Sequence, residues 1–155
     1  MTAVELAREL SSRNLTYELI PHVETMSAHD EAEALGVPGS EVAKTLVLVT
    51  DTGRVRAVLP ASERLDLHKV RELFGGGKSI RLATEPELAE AYPMFELGAV
   101  PPFGGPEDDR TVVDRRLAER ESVVIEAGSH VESVRMRAAD LIDVTRADTA
   151  DICAE

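Results

Sequence analysis

Two aliphatic runs, residues 44–50 and 55–59, are separated only by the polar stretch around Asp51-Thr52-Gly53. A glycine in so short a connection predicts a hairpin, and runs this rich in Val and Leu belong at the centre of a sheet. Helix and strand signals are mixed around it. Thr2 with Glu5 is a capping-box pattern, and Leu6 and Leu10 lie four apart, which predicts a first helix to about residue 12. Residues 16–20 alternate weakly before Pro21 and read as an edge strand. Ser27 is placed to cap a helix that runs to Leu35 and stops at Gly36. Leu67, Val70 and Leu73 share a helix face ahead of Gly75-Gly76-Gly77, Ile80 and Leu82 mark a strand, and Thr84 with Glu87 opens another capped helix to about residue 91. Residues 111–114, 122–126 and 131–136 read as short strands and 138–143 as a helix.

This mixture without strict alternation favours an α+β fold, a mixed and largely antiparallel sheet flanked by helices, over a doubly wound nucleotide fold. At 155 residues the chain is expected to be a single domain, with its core over about 15–144 and a loosely ordered tail over 145–155. Residues 106–110 read as a surface loop.

Charge narrows the function classes. The formal net charge of −12 opposes a general nucleic-acid binder, because non-specific affinity comes from Lys and Arg neutralising phosphates. No DNA partner is expected, and any RNA contact should be local. Aromatic residues are only 3%, so base-stacking platforms are scarce. The longest uninterrupted apolar stretch, 46–49, is far too short to span a bilayer, and no targeting segment opens the chain; a soluble, cytoplasmic protein with no membrane partner is the expectation.

Three familiar chemistries find no support in the residues. Gly77-Lys78-Ser79 mimics the end of a phosphate loop, but position 72 is Glu72 where the first glycine belongs. His22, His29, His68 and His130 lack metal-ligand spacing, and no metal or other cofactor is expected. There is no Gly-x-Ser-x-Gly elbow, and the single cysteine, Cys153, lies near the C-terminus, so a covalent acyl-enzyme has no evident nucleophile.

Three segments carry the chemistry that remains. In Glu41-Val42-Ala43-Lys44-Thr45-Leu46-Val47-Leu48-Val49, strand alternation puts Lys44 on one face with Leu46 and Leu48, at its open end. There it can meet an anion, or lie as a snorkelling lysine paired with a carboxylate. In Gly98-Ala99-Val100-Pro101-Pro102-Phe103-Gly104-Gly105, prolines fix two φ angles and glycine lets backbone N–H groups approach a carbonyl; the bland reading is a structural turn. In Glu126-Ala127-Gly128-Ser129-His130, Gly128 permits close approach and His130 is either a site residue or a turn residue, while Asp114 and Glu132 either face the cleft or, the favoured reading, are solvated.

Together these segments, over about 15–144, resemble the YbaK/prolyl-tRNA synthetase-associated editing-domain family. The resemblance implies a YbaK-like fold and a free-standing aminoacyl-tRNA deacylase that removes a small, wrong amino acid. It makes Lys44 the critical residue and matches Gly98 to Pro102 to the family's Gly-x-x-x-Pro loop, with Gly98 and Pro102 catalytic. Ala99, Val100, Pro101 and Phe103 then belong to substrate binding, as do Gly128, Ser129 and His130. Met26 and Ser27 are expected to line the amino-acid pocket with His130. The implied partners are the aminoacyl-tRNA acceptor end and an aminoacyl-tRNA synthetase. Two rivals stand beside this reading: a non-catalytic module that binds an aminoacyl ester or nucleotide, and a deacylase of some other small ester.

Overall fold

The computed structural model describes residues 3–74, 79–106 and 109–155. In chain order its first half runs α1 (Ala3–Ser12), β1 (Tyr17–Pro21), α2 (Ala28–Leu35), β2 (Val42–Thr50), β3 (Gly53–Pro60), α3 (Leu67–Leu73), β4 (Ile80–Leu82) and α4 (Glu85–Ala91). The second half runs β5 (Arg110–Asp114), α5 (Arg115–Ala118), β6 (Ser122–Glu126), β7 (Glu132–Arg137), α6 (Ala138–Thr145) and β8 (Asp148–Ala150). The expected hairpin forms, with β2 and β3 antiparallel in register from Ala43↔Pro60 to Thr50↔Gly53.

The strands make one mixed sheet in the order β1-β7-β6-β2-β3-β5-β8, with β4 on β2 as a branch. β1–β7, β6–β7, β2–β3 and β2–β4 are antiparallel, whereas β2–β6, β3–β5 and β5–β8 are parallel. Because β3 occupies one edge of β2 throughout, β6 and β4 share the other. β6 pairs only with Val42 and Ala43, and β4 only with Leu48 to Thr50. The sheet therefore forks at Lys44, where β6 ends and, among the described residues, no strand yet replaces it.

Apolar residues cover both faces, as strand alternation requires. Val42 and Val124 pack with Ala28 and Ala32 of α2, and Leu48 packs with Val70 of α3. On the opposite face Ala43, Ile125 and Val134 meet Leu6 and Leu10 of α1 and Leu141 of α6. Lys44 shares the α2 and α3 face, in step with Val42 and Leu48.

Local signals explain the element ends. Ser27 accepts from Asp30 N at the start of α2, Gly36 closes it in the left-handed region at φ 67°, and Thr84 with Glu87 forms the full capping box of α4. The capping residue expected for α1, Thr2, and the Gly75–Gly77 helix stop lie outside the described residues. No helix among the described residues is long and apolar enough to cross a membrane.

Three expectations need correction. The tail is ordered: β8 lies parallel to β5, Ile152 and Cys153 are wholly buried, and Lys69 holds both the Asp151 carboxylate at 3.0 Å and the Cys153 carbonyl at 2.7 Å. Its partners are more than 30 residues away, so local composition does not betray them. Burial pushes the Cys153 thiol up to about 12, which keeps it inert. Asp114 is fully buried, capping α5 through Arg116 N and accepting from Ile152 N, so it is no solvated carboxylate. The 106–110 segment is not wholly a surface loop either, because the Asp109 side chain is 3% exposed and forms ion pairs with Arg54 and Arg56.

Candidate active site

At the fork, the parallel register that pairs Ala43 with Ile125 sets Lys44 alongside Glu126, and the antiparallel register pairs Glu126 with Ser133. Lys44, Glu126 and Ser133 thus form a polar row across β2, β6 and β7, flanked on β2 by Val42, Leu46 and Leu48. Glu31 reaches it from α2. Helical spacing explains why: Ala28, Glu31 and Ala32 form the buried stripe of that helix, so Glu31 is carried in with the two alanines.

Burial dominates the electrostatics. Glu31 is 3% exposed and its carboxyl is raised to about 7 by desolvation, opposed by a hydrogen bond that its Oε2 accepts from Ser133. Its Oε1 has no partner. Glu126, 7% exposed, is raised well above the usual carboxylate range, first by desolvation and then by repulsion from Glu31, with Lys44 opposing. Desolvation also lowers Lys44, whose Nζ donates to the Glu63 carbonyl at 2.5 Å.

Two histidines flank the carboxyls. His22 donates through Nδ1 to the Val23 carbonyl at 2.7 Å, and its Nε2 lies 2.8 Å from Ser133 Oγ. His22, Ser133 and Glu31 therefore share one hydrogen-bonded chain through a rotatable hydroxyl. His130 donates through Nε2 to the Leu97 carbonyl at 2.6 Å, and its backbone N–H donates to Glu96 at 2.8 Å. With Nε2 committed, Nδ1 is its remaining acceptor.

The glycine and proline loop closes the other side. Gly98 has φ 82°, a left-handed backbone that favours glycine, and its α-carbon lies against His130 and the Met26 carbonyl, which a Cβ there would meet at 3.4 Å and 3.7 Å, ordinary contact distances. Of the N–H groups between 98 and 102, Ala99 donates to Glu96 O and the prolines have none. Only the amides of Gly98 and Val100 remain to meet a substrate oxygen. The loop is fastened from behind: Arg56, 1% exposed, donates to Pro101 O at 2.9 Å and Gly104 O at 2.5 Å, and its ion pair with Asp109 is backed by Tyr92.

These segments enclose a narrow pocket lined by His22, Thr25, Ser27, Glu31, Gly98, Ala99, Glu126, Ser129 and His130. Among the described residues, no three His, Cys, Asp or Glu groups gather where they could hold a metal ion.

Comparison with known proteins fixes the family. The profile of the aminoacyl-tRNA editing domain matches residues 22–144, which includes every strand and loop of this site. The chain belongs to the aminoacyl-tRNA editing-domain family. Among curated relatives, the editing domain is 27% identical over 137 residues to EbsC of Enterococcus faecalis, a protein named for Cys-tRNA(Pro)/Cys-tRNA(Cys) deacylation; the match covers 88% of this chain and 82% of EbsC. It is 25% identical over 151 residues to a proline–tRNA ligase of Streptococcus thermophilus, covering 92% of this chain but only 24% of the ligase. Among solved structures, hypothetical protein APE2540 superposes with a TM-score of 0.88 at 30% identity over 97% of this chain and 99% of its own. A structure described as a candidate trans-editing enzyme for prolyl-tRNA synthetase gives 0.85 at 28% identity, over 99% and 97%. The editing domain is thus of the expected YbaK-like α+β class.

Within the editing domain, Ser27, Gly98, Ala99, Ser129 and His130 meet at one pocket. Met26 borders it through its carbonyl while its side chain is 66% exposed. Val100 packs with Val47 and Tyr92, Phe103 joins the main core, and Pro101 and Pro102 are buried behind the loop. Gly128 supports the loop, donating to Ala99 O and accepting from Glu96 N. Lys44 stands beside Glu126 but does not line the pocket. Sequence reasoning missed Glu31, Glu126, His22 and Arg56. Two of them carry a legible signal, a charged residue at an apolar-phase position of a strand or helix.

Proposed function

We propose that this chain is a trans-editing hydrolase that removes a small amino acid from mischarged tRNA. The observation that supports it most is the convergence of the Gly98 loop, His130 and a narrow pocket from three remote segments, in a chain of the editing family. The Gly98 and Val100 amides are the donors for the carbonyl oxygen as charge develops on it, and Arg56 preorganises them. Lys44, at the fork, anchors the terminal nucleotide or the developing charge. No residue of the pocket is an evident nucleophile, so water attacks the ester with the vicinal ribose hydroxyl positioning or activating it. The names of EbsC and of the trans-editing neighbour favour a tRNA of the proline system, with a synthetase as transient partner.

The test is deacylation of tRNAs carrying alanine, serine, cysteine or proline by wild-type protein and Lys44→Ala side by side. One amino acid should be released rapidly, with the rate falling about a hundredfold or more in Lys44→Ala, the cost of losing one charge-stabilising donor. Release from none of them, with prolyl-tRNA synthetase present, overturns the enzyme reading and leaves a binding module of the same fold.

A further inference from the structure

The pocket offers acceptors and few cations to match them. Among the described residues the Glu126 carboxyl makes no hydrogen bond and neither Glu126 nor Glu31 enters an ion pair, although both are more than nine-tenths buried. Glu31 Oε1 is unpartnered as well. The nearby donors make their hydrogen bonds to backbone carbonyls: Lys44 Nζ to Glu63 O, His130 Nε2 to Leu97 O and His22 Nδ1 to Val23 O, so that Lys44 attracts Glu126 only through space. A buried carboxyl without a partner is costly, and one that persists beside a pocket points to a ligand that completes it.

We propose that Glu126, with Glu31 beside it, is the receptor for the substrate's α-ammonium group, so that the site takes α-amino acid esters and rejects their neutral α-hydroxy counterparts. This rests on the deacylase reading above. An α-ammonium carries three N–H donors and sits one carbon from the ester carbonyl. Gly98, whose amide faces that carbonyl in the deacylase reading, lines the same pocket as Glu126 and Glu31. The ligand chemistry is therefore a compact primary ammonium next to a carbonyl. A divalent cation fits poorly, since among the described residues no three potential ligands converge. The wall opposite is small, formed by Gly98 and Ala99, so charge and not bulk is what the pocket can read at this point.

The experiment compares alanyl-tRNA and seryl-tRNA with the lactyl and glyceryl esters made from them by nitrous acid, which replaces the ammonium with a hydroxyl of similar size. Each enzymatic rate is divided by the spontaneous rate of the same ester, because the ammonium itself activates the bond. Wild-type protein should favour the aminoacyl ester by about ten- to a hundredfold, the range of a hydrogen bond to a charged group. Glu126→Gln, nearly the same shape without the charge, should bring that ratio to about one. A ratio is independent of how much protein is folded. Equal handling of both esters by wild type, or a preference that survives Glu126→Gln, overturns the proposal. If no ester is hydrolysed, binding of the non-hydrolysable 3′-alanylamido and 3′-lactylamido adenosines by calorimetry separates the two readings. Preference for the alanyl form, lost in Glu126→Gln, keeps the ammonium receptor and overturns the deacylase; equal or absent binding overturns both.

Discussion

Glu31 ties the pocket to the stability of the fold. The folded protein holds its proton up to about 7, whereas the unfolded chain releases it near 4.5. Between those values the folded state binds more protons, so stability is full below the lower one and falls as pH rises through the higher. A shift of this size corresponds to about 3 kcal/mol as an order of magnitude. Glu126 acts in the same direction, and the hydroxyl of Ser133 is the local opposing influence. Glu31→Gln should therefore flatten the loss of stability between about pH 5 and pH 8, and the variant should be the more stable protein at pH 8. Urea unfolding across that range checks it, and a variant as pH-sensitive as wild type would refute the assignment. At this scale part of the site was legible beforehand. Glu126 ends the run Val123-Val124-Ile125 in phase with inward Val124, and Glu31 lies three residues from Ala28 on a buried stripe. Which cation, if any, would neutralise them was not legible, since Lys44, Ser133 and His22 are far away in the chain.

Among the elements, the loop over 98–105 shows how a pocket wall depends on a residue outside it. Its prolines fix two φ angles, but its position is set by Arg56 on β3, through two carbonyls 45 and 48 residues distant and Asp109 at 53. Arg56→Leu should destabilise the protein by about 3 kcal/mol, at the low end for an opened buried ion pair because Arg54 still holds Asp109. Arg56→Lys should not restore it, since an ammonium cannot reproduce the forked geometry. Urea unfolding measures the first expectation, and deacylation by the lysine variant measures the second. The hairpin, the Ser27 cap and the Thr84 capping box were readable because their determinants are local. The loop's anchor and the β8 pairing were not, because their partners are set by tertiary structure.

For the whole molecule, the acidic surface decides how substrate is held. With a net charge of −12, only a few phosphates can be neutralised, and the deacylase reading therefore concentrates recognition at the acceptor end. The logarithm of kcat/KM for an aminoacyl-tRNA should therefore fall with the logarithm of salt at a slope of about −1 to −2, far shallower than for proteins that grip many phosphates. A steep slope in a salt titration would mean an extended RNA contact that the charge balance disfavours.

The pocket's three walls come from residues 22–31, 98–99 and 126–130, separated along the chain yet joined through β1–β7, β6–β7 and the Glu96–Gly128 bond. No early folding intermediate made from neighbouring segments can contain it. The longest closure it needs is the one that pairs β1 with β7, so the pocket and that flank of the sheet form together, and a nascent or partly refolded chain has no pocket until residues 126–137 have docked.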